Sequence, residues 1–455
     1  MSASYGLLEG PLLENIANNL SPGARRRSRY ERRQVLWDAS SLKRARCCGR
    51  VLVDLEAGVR ARLREGVAGW AGLQHCASVW VCPVCASRIL VHRALEIGSV
   101  LQRAVEQGYA LAFCTFTMRH HLGQDLALLW SGGQKAWQAA ISGKYWQAAK
   151  ALGVVGWVRV WEVGYGRHGW HVHVHFVLVL TPAAADRLDD IAGPMWQRWD
   201  RSLRRQGLDS VRAAQDWHVV RGEQAADDLG GYLAKLANST EGEGLGLELT
   251  HGMPGRAGAV VATRPTWAIL DHLVLTGEAA ALEAWHEWER VSKGKRQVGW
   301  SKGLRERFAP EVEELTDDEV VAEELGTAED DVLHLDVHGW RALMRSPGRP
   351  LEVLELLEIG GVELATSALD QWGIRHDQAK RGDSPDGDTT TQARRRSAGE
   401  ADPPTRLREG AAGGELRRRL GLVAGGSRAT PDDDRVRRAW VHQPSCSVPG
   451  TGSVP

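Results

Sequence analysis

No stretch of this 455-residue chain reaches 18 consecutive apolar residues, so no membrane-spanning helix is expected. Its first twenty residues, MSASYGLLEGPLLENIANNL, lack the basic start and apolar core of a secretory leader. Cysteines number only seven, most of them between Cys47 and Cys85, which is too few and too clustered for an extracellular disulfide framework. These absences point to a reducing compartment, the cytoplasm. Phenylalanine and tyrosine are scarce, four and six, while tryptophan reaches 19. There is no internal repeat and no phosphate-binding Walker motif.

Net charge is also missing, with 57 basic residues against 57 acidic ones. The sum hides two opposed regions. Residues 1–310 carry +10 and residues 311–455 carry −10, so neutrality does not argue against a polyanionic partner for the first region.

Along the chain, residues 1–46 read as a basic N-terminal arm, arginine-rich from residue 24 and solvated. Residues 47–94 form a cysteine-rich segment, and apolar residues at helical spacing follow as far as Gly108. From 95 to 240 the pattern predicts strand (YALAFCTFTMRH), helix (Leu126 to Leu152), hairpin turning near Tyr165 to Gly169, helix (Pro182 to Gln206) and strand (Asp216 to Val220), with a further helix near Ala225 to Leu236. That order predicts an α+β fold, an antiparallel sheet with helices packed on one face. Residues 241–310 read as a Gly-rich loop and a helical extension, 311–373 as an acidic, partly helical region, and 374–455 as a disordered tail.

The sharpest chemical feature is His171-Val172-His173-Val174-His175. On a strand, side chains alternate faces, so the three imidazoles share one face and the valines the other. Same-face histidines can chelate one divalent cation, and Glu162 on the preceding strand can reach across to it. Two imidazoles and a carboxylate leave positions open for a phosphate oxygen. Upstream, Cys48, Cys76, Cys82 and Cys85 make a candidate structural Zn²⁺ site, with Cys47, His75 and His92 as alternative ligands that spacing does not separate. Cys114 reads as a small core residue. Trp157, Trp161 and Trp170 flank the histidines and either pack the core or stack single-stranded bases.

Taken in order, Thr115-Phe116-Thr117, the His-x-His strand and Tyr232-Leu233-Ala234-Lys235 resemble the motifs of the HUH endonucleases. The Cys-Pro-x-Cys cluster and Trp300-Ser301-Lys302-Gly303-Leu304 narrow the resemblance to rolling-circle replication initiators of bacterial, especially actinobacterial, plasmids. The likeness covers about residues 45 to 308. It implies the HUH palm fold and a tyrosine nucleophile, for which Tyr232 is the candidate among six tyrosines. It implies nicking of single-stranded plasmid origin DNA through a 5′-phosphotyrosyl link, assisted by Mg²⁺ or Mn²⁺ on His173, His175, Glu162 and His171. Lys235 would offset transition-state charge, and Asp228, or Asp227 beside it, would activate water for the last cleavage. Host helicase and polymerase would be partners. Two departures stand out: the water-activating position in such initiators is usually glutamate, and Gly230-Gly231 weakens the helix before Tyr232 by roughly 1 kcal/mol per glycine. Alternatives are an HUH transposase or relaxase, although relaxases generally carry the tyrosine before the histidines, and a non-catalytic zinc-containing DNA-binding regulator. The acidic region, on this reading, restrains non-specific DNA binding or contacts host proteins.

Overall fold

The computed structural model describes residues 22–220, 263–311, 313–323 and 327–378. These fall into two compact units, one built from 22–48, 75–220 and 263–323, the other from 49–74 and 327–378.

The first unit opens with α1 (Pro22–Ala39) and α2 (Lys43–Cys47). Residues 22–46 are therefore folded chain rather than a solvated arm. Tyr30, Arg33 and Trp37 recur at helical spacing on one stripe of α1 and are all buried. The chain then leaves for the second unit, contributing β1 (Val59–Arg64) and β2 (Val67–Ala71), and returns at residue 75. Next comes α3 (Pro83–Glu106), with Cys82 at its N-cap and Pro83, which has no N–H to leave unsatisfied, at its first position. Gly108 at φ +85° ends it where the sequence predicts.

β3 (Ala110–Thr117) follows, then α4 (Leu126–Ala140) and α5 (Gly143–Leu152). The single helix expected here is split at Ser142, because Gly143 takes φ +70°. β4 (Val154–Gly166) and β5 (Gly169–Leu180) form the predicted hairpin. α6 (Pro182–Ala185) and α7 (Leu188–Arg204) share the next expected helix, and β6 (Asp216–Val220) lies where the sequence places it. Beyond residue 262 come β7 (Thr263–Pro265), α8 (Ala268–Thr276), α9 (Ala279–Ser292), β8 (Val298–Trp300), α10 (Leu304–Phe308) and α11 (Asp317–Glu323).

The sheet is wholly antiparallel, in the order β6-β3-β5-β4-β7, with β8 also paired to β4. Its two faces differ in chemistry. Phe116, Trp161 and Phe176 project to the side covered by α4 and α7, where Phe176 meets Trp137 at 5.0 Å and Trp161 stacks on Trp199 at 6.4 Å. Trp157, Trp161 and Trp170 are 8%, 1% and 2% exposed, which makes them core and removes them as base-stacking platforms. Close approach of α4 depends on Gly133, where a Cβ would come within 2.9 Å of Met118 Cε and 3.2 Å of Trp161. Thr115, Thr117, Glu162 and the histidines occupy the other face.

The second unit is a separate antiparallel sheet, β10-β9-β1-β2, formed with β9 (Asp331–Leu335) and β10 (Asp377–Gln378) and accompanied by α12 (Val337–Leu343) and α13 (Arg349–Gln371). Val59, Ala61, Leu333, Leu335, Leu354 and Leu357 fill its core, and Trp70 packs edge-on to Trp340 at 5.2 Å. Residues 47–94 are thus divided between the two units, as are 311–373. Both sheets and their helices bear out the α+β class. Among the described residues, no helix is long and apolar enough to cross a membrane.

Candidate metal centres

Antiparallel register does the first work. Glu162 on β4 and Thr117 on β3 both face His173 on β5, and Thr115 faces His175 one pleat along. Strand alternation then brings Glu162, His173 and His175 together. Glu162 Oε2 lies 2.9 Å from His173 Nε2 and 3.0 Å from His175 Nε2. Their side chains are 16%, 5% and 1% exposed, so the group is nearly dry. Ligands at right angles around an ion with bonds of about 2.1 Å stand about 3 Å apart, so these donors have the spacing of a chelate.

The neighbours orient the ligands. Thr115 Oγ1 is 2.9 Å from His175 Nδ1, a bond that orients the ring; with the hydroxyl accepting from Nδ1–H, Nε2 is left for a ligand. His171 is turned differently, its Nε2 3.0 Å from Thr117 Oγ1. Its ring continues a row of imidazoles, with His120 at 4.7 Å on one side and His173 at 4.6 Å on the other. Burial disfavours the protonated form of His171, and positive charge on His173 adds to it, holding His171 well below the ordinary histidine value. For Glu162 burial acts in the opposite sense, but His173 and His175 outweigh it and hold the carboxyl well below the usual carboxylate range.

A second group lies in the same unit. Cys48 follows α2, Cys76 lies just past the point where the chain re-enters the unit, Cys82 caps α3 and Cys85 sits in its first turn. Sulfur separations are 3.7 Å for Cys48 and Cys82, 3.6 Å for Cys48 and Cys85, and 3.8 Å for Cys76 and Cys85. Four thiolates at about 2.3 Å from one ion lie about 3.8 Å apart on a tetrahedron, so the donor set and its spacing fit zinc. All four cysteines are buried. Contacts from Cys76, Cys82 and Cys85 hold the Cys48 thiol well below its usual value, while donation to Cys48 pushes Cys76 up. Buried Arg33 is stacked over Tyr30 at 4.3 Å; burial works to lower its pKa, but Tyr30 and then Cys48, Cys82 and Cys85 outweigh it and raise the value, so the guanidinium can offset part of the negative charge that four thiolates would carry. Each group can hold a metal ion.

The other site residues of the sequence reading, Tyr232, Asp228, Lys235 and the alternative Asp227, lie outside the described residues, as do the 241–262 loop and the chain beyond residue 378. His75 and His92 are not part of the four-sulfur group. Sequence reasoning used Thr115 and Thr117 only as landmarks. Their alternation on a strand pairing with the His-x-His strand is the signal that would have given them a role.

Comparison with known proteins follows this geometry. Residues 71–235 match the replication protein family. A "Protein rep" from Streptomyces lividans is 28% identical over 305 residues, 54% of this chain and 66% of that protein. A "Neomycin resistance protein" from Streptomyces cyanogenus is 30% identical over 155 residues, 28% of this chain and 36% of that protein. The chain thus aligns with just under two thirds of the first relative's length and about a third of the second's. No solved structure matches significantly. Over residues 71–235 the chain is thus similar to the replication protein family, the relationship that its motifs implied.

Proposed function

We propose that the protein initiates rolling-circle replication of a plasmid by nicking one strand of the origin and rejoining it at termination. The observation that carries this reading is the Glu162, His173 and His175 group, a carboxylate oxygen 2.9 and 3.0 Å from two imidazole nitrogens on the face of the sheet away from the aromatic core. A divalent ion there, Mg²⁺ or Mn²⁺, would supply Lewis-acid polarisation of the scissile phosphate. Two imidazole donors depart from the oxygen coordination that Mg²⁺ prefers, which favours Mn²⁺ of the pair.

The chain's own groups supply the rest. Tyr232 Oη attacks phosphorus and the bond to the 3′-oxygen breaks, giving a 5′-phosphotyrosyl link; the phenolic proton is lost and the departing oxygen takes one up to become a 3′-OH primer. Lys235 offsets the developing negative charge. Asp228, or Asp227, accepts a proton from the water that attacks in the final cleavage. The cysteine group holds Zn²⁺ structurally. Host polymerase extends the primer, and a host helicase unwinds the duplex, since the sequence has no Walker motif.

The deciding experiment incubates the protein with a labelled single-stranded origin oligonucleotide and Mn²⁺. A covalent adduct that disappears in Tyr232→Phe is expected. In His173→Ala and His175→Ala nicking should vanish while specific duplex binding persists. Cleavage without an adduct, or no cleavage of any origin strand, would sink the reading; equal loss of nicking and binding would make the histidines structural.

A further inference from the structure

The Trp300 to Leu304 motif has a visible structural role. β8 runs antiparallel to Val158–Val160 of β4, and Ser301 Oγ accepts a 2.9 Å hydrogen bond from Trp157 N–H while Ser301 N–H donates to Trp157 O. Leu304 then closes on Gly156, the one strand position there with no side chain in its way. The motif is a clasp on the outer edge of the sheet. What it brings with it is charge. Residues 291–305 hold five cations and no carboxylate.

Lys293 and Arg296 are exposed at the start of this stretch and Lys302 at its turn, and none of the three has an ion-pair partner among the described residues. Arg159, on β4, lies across the same segment. Its guanidinium is 5.4 Å from the Trp161 ring centroid and donates through Nη1 to Gln297 O at 3.3 Å. Gly299 makes room for it, since a Cβ there would come within 2.9 Å of Arg159 Cζ. Nε is buried without a hydrogen-bond partner, and no carboxylate pairs with the guanidinium among the described residues. A half-buried guanidinium left without a counter-charge is costly, and burial together with Arg296 lowers its pKa to about 10. Such a group is stabilised by an anion arriving from outside the chain.

We propose that Arg159, Lys293, Arg296 and Lys302 form a binding site for the phosphodiester backbone of single-stranded DNA. The site lies on the strand that bears Glu162. Arg159 stands three positions before Glu162 and therefore projects from the opposite face of β4, the Trp161 side, at the sheet edge that β8 clasps. Between β8 at 158–160 and β7 at 164–166 the ladder on this edge of β4 is interrupted, and Trp161 N–H there donates to Gln297 O at 3.0 Å. The backbone site does not depend on the nicking function proposed above.

The test measures fluorescence anisotropy of an arbitrary-sequence single-stranded oligonucleotide across a salt series, without added divalent cation, using full-length Tyr232→Phe protein so that no cleavage intervenes. Arg296→Ala with Lys302→Ala, both at exposed positions, is expected to weaken binding about tenfold and to flatten the salt slope by roughly 1.4. Arg159→Gln should weaken it further. Unchanged affinity and slope in both variants would overturn the proposal, as would loss confined to duplex DNA. An absent tyrosyl adduct in the separate nicking assay, with these binding losses intact, would remove the nicking function and leave the backbone site standing.

Discussion

Thr115 Oγ1 stands 2.9 Å from His175 Nδ1, across the rung of the β3 to β5 ladder on which the two residues are register partners. The side chain that fixes the imidazole is therefore held by the same backbone hydrogen bonds that hold the imidazole.

Thr115→Val removes that hydroxyl without changing the strand's shape. Mn²⁺ affinity, measured by titration calorimetry, should fall about 10- to 100-fold, and Thr115→Ser should restore most of it. Full affinity in the valine variant would mean that His175 is oriented by packing alone.

Glu162 should bind metal as a carboxylate at any pH at which the protein is ordinarily handled. Burial opposes its ionisation but the two histidines outweigh it, so its pKa is depressed and its charge is lost only as pH falls below the usual carboxylate range. The factor by which Glu162→Gln weakens Mn²⁺ binding should consequently be the same at about pH 6 and about pH 8. A factor that shrinks toward the acid end would show the carboxyl titrating in that window.

Purified protein should contain one zinc per chain by elemental analysis. Cys48→Ser should lose it, and thermal unfolding should shift down because binding energy at a closed four-thiolate site is folding energy. Retained zinc with an unchanged melting temperature would bring back the alternative ligand His75.

Gly133→Val tests the helix-to-sheet contact behind the metal face. The added side chain must displace Met118 or Trp161, which should cost about 1 to 3 kcal/mol in denaturant unfolding. A neutral result would mean that α4 can retreat without disturbing the core.

The central sheet was legible in the sequence because β3, β4 and β5 carry unambiguous apolar alternation or continuous apolar runs, and because His171, His173 and His175 mark one face. The grouping of Glu162 with His173 and His175 was legible from the same hairpin. β1 and β9 were not. β1 reads VRARLR, with three arginines on one face that resemble a solvated segment, and β9 lies within the acidic run from Glu311 to Asp336. Each is a strand only because the other, far along the chain, pairs with it. Local patterning carries no trace of such a pairing. The role of Trp157, Trp161 and Trp170 needed the structure for a different reason: a tryptophan beside a site looks the same in sequence whether it faces the core or a base.

β1 sits between β9 and β2, and β9 follows the first unit in the chain. Deleting everything after residue 310 would strip that middle strand of a neighbour, take Trp340 from Trp70, and leave a hairpin with an open, sticky edge. Activity lost on such a deletion would report a damaged remnant. A cleaner dissection removes 49–74 along with everything after residue 323 and rejoins the first cut with a short linker, which the 2.7 Å hydrogen bond from Gly49 N–H to Gln74 O shows to be a small gap.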